Sequence, residues 1–547
     1  MPHLQKLQAQ LAAGKLGRRD FVRFATLLGL AAPAAYRMAG LAAIPPARAE
    51  GIPSGGTVRV GTHVKTLASP HTYDWGSYDS NVARQVCEYL TLTDEHNVCR
   101  PYLLEGWSVS PDLKTWTLSV RKGVKWHNGQ DFTADHVVWN LRRLTDAAIG
   151  SSFLGLVKGY LLKDTKGADG RPSTELWDAN AIEKTGDHTV RLNCREPQVS
   201  VAYHLFHYPA LMLHPDDKGL FGPGAQGTGP FELAGVDVGK LAVVRKAKGY
   251  WGKEAHLDAI EFVDTGGDPA GEIAALAARQ IHGLIIADPN QVDALKAIPH
   301  LQLYQIPSAE TAVMRFKVAE RPFNDTRVRK AMKLALNAAP IVEAALHGIG
   351  TTGDHTHCSA AQPDTKPVPP LGYDPAAAKA LLAEAGYPNG FETTLHVPND
   401  VAWMVAQAQA AAEQWQQIGV KVAVNIMSAT EYYGGAWTKV PFGVTIWTHR
   451  PLAMMVMDLG YRSGVPWNES GYANPKFDQI LTKADGTLDM EERRDLLAQL
   501  AQIMHEDGPI AQPLFRNNFT FYDKAVLGAG IHPSSYFFGN RLALQTI

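Results

Sequence analysis

The sequence predicts an α/β protein with mixed sheets, divided into at least two large lobes. Three observations point there. The chain has 547 residues, whereas a single hydrophobic core stops growing at roughly 250 to 300 residues. Short alternating runs that suit strands are interleaved with helical periodicities along much of the chain, which argues for α/β layers over a bundle or a sandwich. Apolar residues make up 45% and charged residues 19%, the balance of an ordinary globular chain. No stretch after residue 50 offers the ~18 uninterrupted apolar residues of a membrane span.

The amino terminus reads as an export signal. Gly17-Arg18-Arg19-Asp20-Phe21-Val22-Arg23 sets paired arginines and a Phe at the spacing of a twin-arginine signal, and a mostly apolar run follows over residues 24–35. Ala47-Arg48-Ala49 then supplies small residues at the two positions a signal peptidase reads, so cleavage is expected before Glu50. Gly17 stands where Ser or Thr is usual, and Pro33 and Arg37 interrupt the apolar region, leaving twin-arginine and general export both open. Residues 1–49 hold Lys6, Lys15, Arg18, Arg19, Arg23, Arg37 and Arg48 against Asp20, so their removal takes the formal charge from −2 to −8. An acidic product has no electrostatic reason to bind nucleic acid. No Cys lies near the cleavage region to carry a lipid.

Further along, Thr57-Val58-Arg59-Val60-Gly61 alternates as a short strand, and residues 81–90 read as the start of a helix. Trp116-Thr117-Leu118-Ser119-Val120-Arg121 alternates again and turns at Lys122-Gly123. Thr133-Ala134-Asp135-His136 reads as an N-cap with an acidic first turn. Residues 241–245 and 259–263 are strand-like, and residues 292–298 and 325–336 are helical in pattern. After a Pro-rich connector at 363–375 come helices over 375–385 and 403–418 and a strand over 420–424. Cys87, Cys99, Cys194 and Cys358 are too few and dispersed for a disulfide framework, and Cys87 with Cys99 is the one pairing to consider against buried free thiols.

Six stretches in order resemble the family 5 extracellular solute-binding proteins, the group with dipeptide-, oligopeptide-, glutathione-, opine- and nickel-binding receptors. The most specific comprises Glu105-Gly106-Trp107-Ser108-Val109-Ser110-Pro111-Asp112, Arg121-Lys122-Gly123-Val124-Lys125-Trp126-His127-Asn128-Gly129 and Thr133-Ala134-Asp135-His136-Val137-Val138, where His136 replaces a second Asp. Gly227-Thr228-Gly229-Pro230-Phe231, Pro322-Phe323-Asn324-Asp325-Thr326-Arg327, Tyr373-Asp374-Pro375, Ala385-Gly386-Tyr387 and Asn474-Pro475-Lys476-Phe477-Asp478 follow.

The resemblance implies a two-lobed periplasmic-binding-protein fold with a hinge. The first lobe would comprise residues 50–306, with an inserted subdomain near 85–220, and again 516–547; the second lobe would be 307–515. It further implies a periplasmic, monomeric receptor that hands a small-molecule or short-peptide ligand to the membrane permease of an ABC importer. It places His127 on a structural turn.

For the ligand, aromatic walls and a few polar anchors are needed. In the first lobe Tyr73, Trp75 and Tyr78 are candidates, from an aromatic segment after the first strand. In the second lobe Thr445-Ile446-Trp447-Thr448-His449-Arg450 lies where peptide-binding relatives carry Gly-Trp-x-x-Asp, whose Asp receives a peptide amino terminus. Here that position is Arg450, which suits a carboxylate or phosphate instead. An internal salt bridge is the competing role for Arg450. Trp447 and His449 flank it, Asn399, Asp400 and Asp458 are candidate anchors or countercharges, and Tyr432, Trp467 and Asn468 complete the expected contacts.

Two other functions compete with this reading. His355-Thr356-His357-Cys358 holds three metal-ligand types in four residues, but adjacent residues do not by themselves assemble a tetrahedral site. A nickel or metal-chelate receptor therefore stays as the alternative, with no metal ligands or cofactor assigned. No nucleophile elbow, His-Glu-x-x-His helix or phosphate loop is present in the sequence, so no reaction class has an anchor and an enzyme is not expected.

Overall fold

A computed structural model of the chain describes residues 2–41, 51–72, 75–76, 79–167, 169–266 and 268–545. The expected cleavage residues around Ala49 and the candidates Tyr73 and Tyr78 lie outside the described residues.

One mixed sheet runs through the molecule. From one edge its strands are Phe231–Asp237, Leu241–Lys246, Ala259–Asp264, Thr57–Thr62, Gly283–Leu284, Leu514–Asp523, Leu301–Phe316, Phe442–Trp447, Glu392–Pro398 and Lys421–Met427. Thr57–Thr62 alternates as its sequence predicts, burying Val58 and Val60, and pairs in parallel with Ala259–Asp264. The two ends of the sheet serve separate cores. Val58, Val60, Ile260 and Phe262 belong to one, while Met314, Phe316, Trp415, Phe442 and Val444 belong to the other.

The strand Leu301–Phe316 belongs to both ends. Its residues 301–306 pair antiparallel with 518–523, and its residues 311–316 pair with the strand Phe442–Trp447. The register shifts between Ile306 and Glu310. At that break the buried Glu310 carboxylate accepts from Arg516 Nη1 at 2.8 Å, joining the two strands that cross between the cores.

A four-stranded antiparallel sheet, Leu104–Val109, Thr115–Val120, Thr189–Asn193 and Ile182–Gly186 in series, forms a satellite on the first core. The helix Ala134–Leu144 packs on it and carries the expected Thr133 N-cap, with one change in the capping atoms. His136 Nδ1 accepts the Thr133 backbone N–H at 3.1 Å. The imidazole thus does the work an acidic side chain does in a capping box.

The expected helix over residues 81–90 is only Ser80–Ala83. Beyond it the backbone carbonyls of Gln85 and Val86 accept from Phe231 N (3.1 Å) and Gly229 N (2.8 Å), so they are withdrawn from any helical ladder. A side chain at Gly229 would sit 2.6 Å from the Gln85 carbonyl oxygen, and one at Gly227 would collide with the Val86 carbonyl. The Gly-Thr-Gly run is therefore needed for this close backbone approach. His127 clamps the same run, with Nε2 2.9 Å from Gly229 O.

Residues 2–41 form three helices, Pro2–Ala12, Arg18–Leu27 and Ala32–Met38. Phe21 and Phe24 are buried, Leu27 O accepts from Trp107 Nε1 at 2.8 Å, and Asp20 lies 3.4 Å from Arg494. Arg18 and Arg19 remain exposed. All four cysteines are free, and Cys87 and Cys99 are both buried.

Candidate ligand-binding site

The strand Phe442–Trp447 delivers Trp447 and then the turn Thr448-His449-Arg450 to the junction of the two cores. Trp447 is buried, and its indole fits because Gly460 faces it; a Cβ there would lie 2.8 Å from the ring. Trp467 packs edge-on to Trp447 with ring centroids 5.9 Å apart, and Tyr208 continues the wall 6.1 Å from Trp467. Tyr208 comes from the satellite side of the molecule, so the wall is assembled from both halves.

Arg450 is 3% exposed. One edge of its guanidinium is held by the chain itself: Nη1 donates to Thr448 O (2.9 Å), Thr448 Oγ1 (2.5 Å) and His449 O (3.1 Å). Its carbon lies 5.1 Å from the Tyr208 ring centroid. Nε is buried and has no acceptor. Among the described residues no carboxylate pairs with Arg450, so the internal salt bridge is not formed. Asp458 is committed to Arg462 at 2.6 Å instead.

His449 has both ring nitrogens engaged within the protein, Nδ1 accepting from Ala309 N (3.1 Å) and Nε2 lying 3.1 Å from Asn97 Nδ2. Burial first, then the neighbouring Arg450 charge, pushes its pKa down to about 3. This neutral imidazole ties the crossing strand and the first half to the Arg450 turn.

The remaining sequence candidates separate. Trp75 is buried and donates from Nε1 to Ser80 Oγ at 2.7 Å. Tyr432 is fully buried in the second half, near the Arg315–Glu469 pair. Asn468 spends its amide on its own turn, donating to Tyr472 O (2.6 Å) and Arg462 O (3.2 Å). Asn399 is exposed and Asp400 half-buried after the strand Glu392–Pro398, with Asp400 Oδ1 buried and without an acceptable donor. The His355 and His357 side chains part company: His355 Nδ1 accepts from Gln512 N, whereas His357 Nε2 meets Tyr461 Oη at 2.7 Å.

Sequence reasoning missed Arg84, Tyr208 and Tyr536. Arg84 is 8% exposed, and Nε, Nη1 and Nη2 are all buried with no hydrogen-bond acceptor. Its guanidinium lies 3.9 Å from the Tyr536 ring centroid and 5.2 Å from that of Tyr89. A desolvated cation–π contact contributes about 2 kcal/mol, whereas the effective penalty for burying an ion is still several kcal/mol. The stack alone does not offset that burial. His532, stacked on Tyr536 at 5.0 Å, is held neutral far below its ordinary pKa, by burial first and then by the charges around it. Tyr536 and His532 also line a cavity of about 350 Å³ with Tyr304, Tyr522 and Arg541.

Two halves that share crossing strands, with an aromatic wall and a buried arginine where they meet, have the architecture of a binding protein of the two-lobed class. The sequence pattern of the bacterial extracellular solute-binding proteins, family 5, matches residues 99–464, and the chain belongs to this family. The glutathione-binding protein GsiB of Escherichia coli K12 is 26% identical over 512 residues, covering 88% of this chain and 92% of that protein. Among solved structures, OppA of Haemophilus influenzae in complex with the peptide RPPGFSPFR superposes with a TM-score of 0.78 at 21% identity, covering 90% of this chain and 99% of that one. AgaA of Agrobacterium tumefaciens R10, in complex with agropinic acid, superposes with a TM-score of 0.77 at 21% identity over the same shares of each chain.

Proposed function

We propose that the protein is the periplasmic receptor of an ABC importer, exported by way of residues 1–49 and acting as a monomer. It closes two lobes, 50–306 with 516–547 and 307–515, over a peptide or a peptide-like or opine-like solute. The unpaired edge of Arg450 carries this reading. A guanidinium buried at the junction with its Nε donor unmet calls for an acceptor, and a carboxylate of the solute supplies one with matching geometry. The ligands named for the relatives, glutathione, a peptide and agropinic acid, all carry carboxylates. Exposed Arg18 and Arg19 are accessible to an export receptor.

The test is a thermal-shift and calorimetric screen of opines, amino-blocked peptides, glutathione and sugar phosphates beside plain dipeptides. An anionic compound binds, and Arg450→Ala weakens it by more than tenfold, since losing one partner of a buried charged pair costs roughly 2 to 5 kcal/mol. Tight binding of plain dipeptides that Arg450→Ala leaves unchanged refutes the assignment. Conversion of the bound compound would refute the receptor role itself.

A further inference from the structure

Arg84 is held in place from both sides. Asn81 Nδ2 donates to Ser535 O (3.0 Å), and its Oδ1 accepts from Phe537 N (2.9 Å). Gln85 Nε2 donates to Phe537 O (3.0 Å), and its Oε1 accepts from Gly539 N (3.1 Å). The residue between them is therefore fixed against the segment 535–539, and the Gly227–Gly229 approach fixes the following backbone. Rigid support of this kind is what a recognition group requires.

Three acids near Arg84 have partners of their own, Asp79 accepting from Gly76 N at 3.0 Å. Glu88 accepts from Tyr250 Oη (2.6 Å) and Trp251 Nε1 (2.8 Å), and Asp94 accepts from Arg100 Nη2 (2.6 Å) and the His96 and Val98 amides. Among the described residues none offers Arg84 an acceptor. The Tyr536 ring satisfies the face of the guanidinium and leaves its in-plane donors unmet.

Arg84 and Arg450 address one region. Ser534 Oγ donates to His449 O at 3.1 Å, next to Arg450, and Tyr536, two residues further on, lies against Arg84. The turn that carries Arg450 and the guanidinium of Arg84 thus both meet the segment 534–536.

We propose that Arg84 is a second anion-recognition residue of this cleft and that the solute carries two separate acidic groups, one for Arg450 and one for Arg84. This rests on the receptor reading above and narrows its ligand class to compounds with two acids.

Calorimetry on the full chain, with N-acetyl-Ala-Glu against N-acetyl-Ala-Gln, isolates the second charge, because the two probes differ by one carboxylate. The diacid is expected to bind at least about tenfold tighter, and Arg84→Met to erase most of that preference. In the ligand-free protein Arg84→Met should raise the melting temperature, because an apolar side chain replaces an unpaired buried charge. The proposal is overturned if the wild type does not distinguish the probes, if Arg84→Met keeps the preference, or if it lowers the ligand-free melting temperature. Loss of all binding in Arg450→Ala with the preference intact in Arg84→Met overturns only the second site and leaves the receptor reading standing. If neither probe binds the wild type, the two-acid proposal is overturned as well, while the wider screen above still tests the receptor reading.

Discussion

Cys87 and Cys99 illustrate what a single residue position does and does not announce. Twelve residues apart in a chain read as exported, they invite a disulfide, yet both are free and buried, with Cys99 Sγ directed at Ala202 O. Burial pushes both thiols far above their ordinary range and Cys358 up to about 12. A thiolate is the reactive form, so the native protein should react negligibly with a thiol reagent at pH 8 over minutes and show four thiols once unfolded. Finding only two in denaturant would mean that Cys87 and Cys99 are bonded after all. Arg450 was legible in the sequence because it occupies a motif position where its charge contradicts the usual one. Arg84 was not, because nothing local distinguishes it from an arginine on a surface helix. Its burial comes from Phe206 and Tyr536, residues more than a hundred positions away.

At the scale of an element, the helix Ala134–Leu144 was readable from its cap and periodicity, but the capping atoms were not. His136 works as the reciprocal cap only while Nδ1 is unprotonated. Burial and then the nearby His214 lower its pKa, which keeps the ring neutral. His136→Ala should cost about 1 kcal/mol in denaturant unfolding, within the usual range for lost caps, and His136→Glu should recover most of it by restoring the usual capping box. Equal stability of all three would remove the imidazole from any capping role. The short helix Ser80–Ala83 shows the opposite case, where local pattern misleads. Residues 81–90 carry helical periodicity, but tertiary hydrogen bonds from residues 229 and 231 take the carbonyls of Val86 and Gln85, and a propensity is a weak prior against such competition.

For the whole molecule, sequence periodicity reached the α/β class and the family motifs reached two lobes, whereas the packing between segments some three hundred residues apart was legible in neither. The helix Phe153–Val157 packs against Ala453–Gly460, and the contact turns on Gly155. A Cβ there would lie 3.2 Å from Leu459 Cα and 3.4 Å from Asp458 O. Lys158 Nζ donating to Ser463 O at 2.8 Å and Val199 N donating to Asp485 O at 3.0 Å join the same two parts of the molecule. On the lobe division proposed above, added volume at Gly155 falls on a contact between the lobes and penalises the closed state. Overpacking costs typically about 1 to 3 kcal/mol, and a cost borne only by the closed state lowers the fraction of binding-competent protein by the same factor. Gly155→Val is therefore expected to weaken the solute bound at Arg450 by about 5- to 150-fold. Far-UV dichroism and the ligand-free melting temperature should change little. Small-angle scattering should show compaction on saturation of the wild type, with the variant requiring proportionally more solute to reach it. Unchanged affinity in Gly155→Val would mean that these helices stay together throughout binding, and the hinge motion would then have to lie elsewhere than between residues 155 and 459.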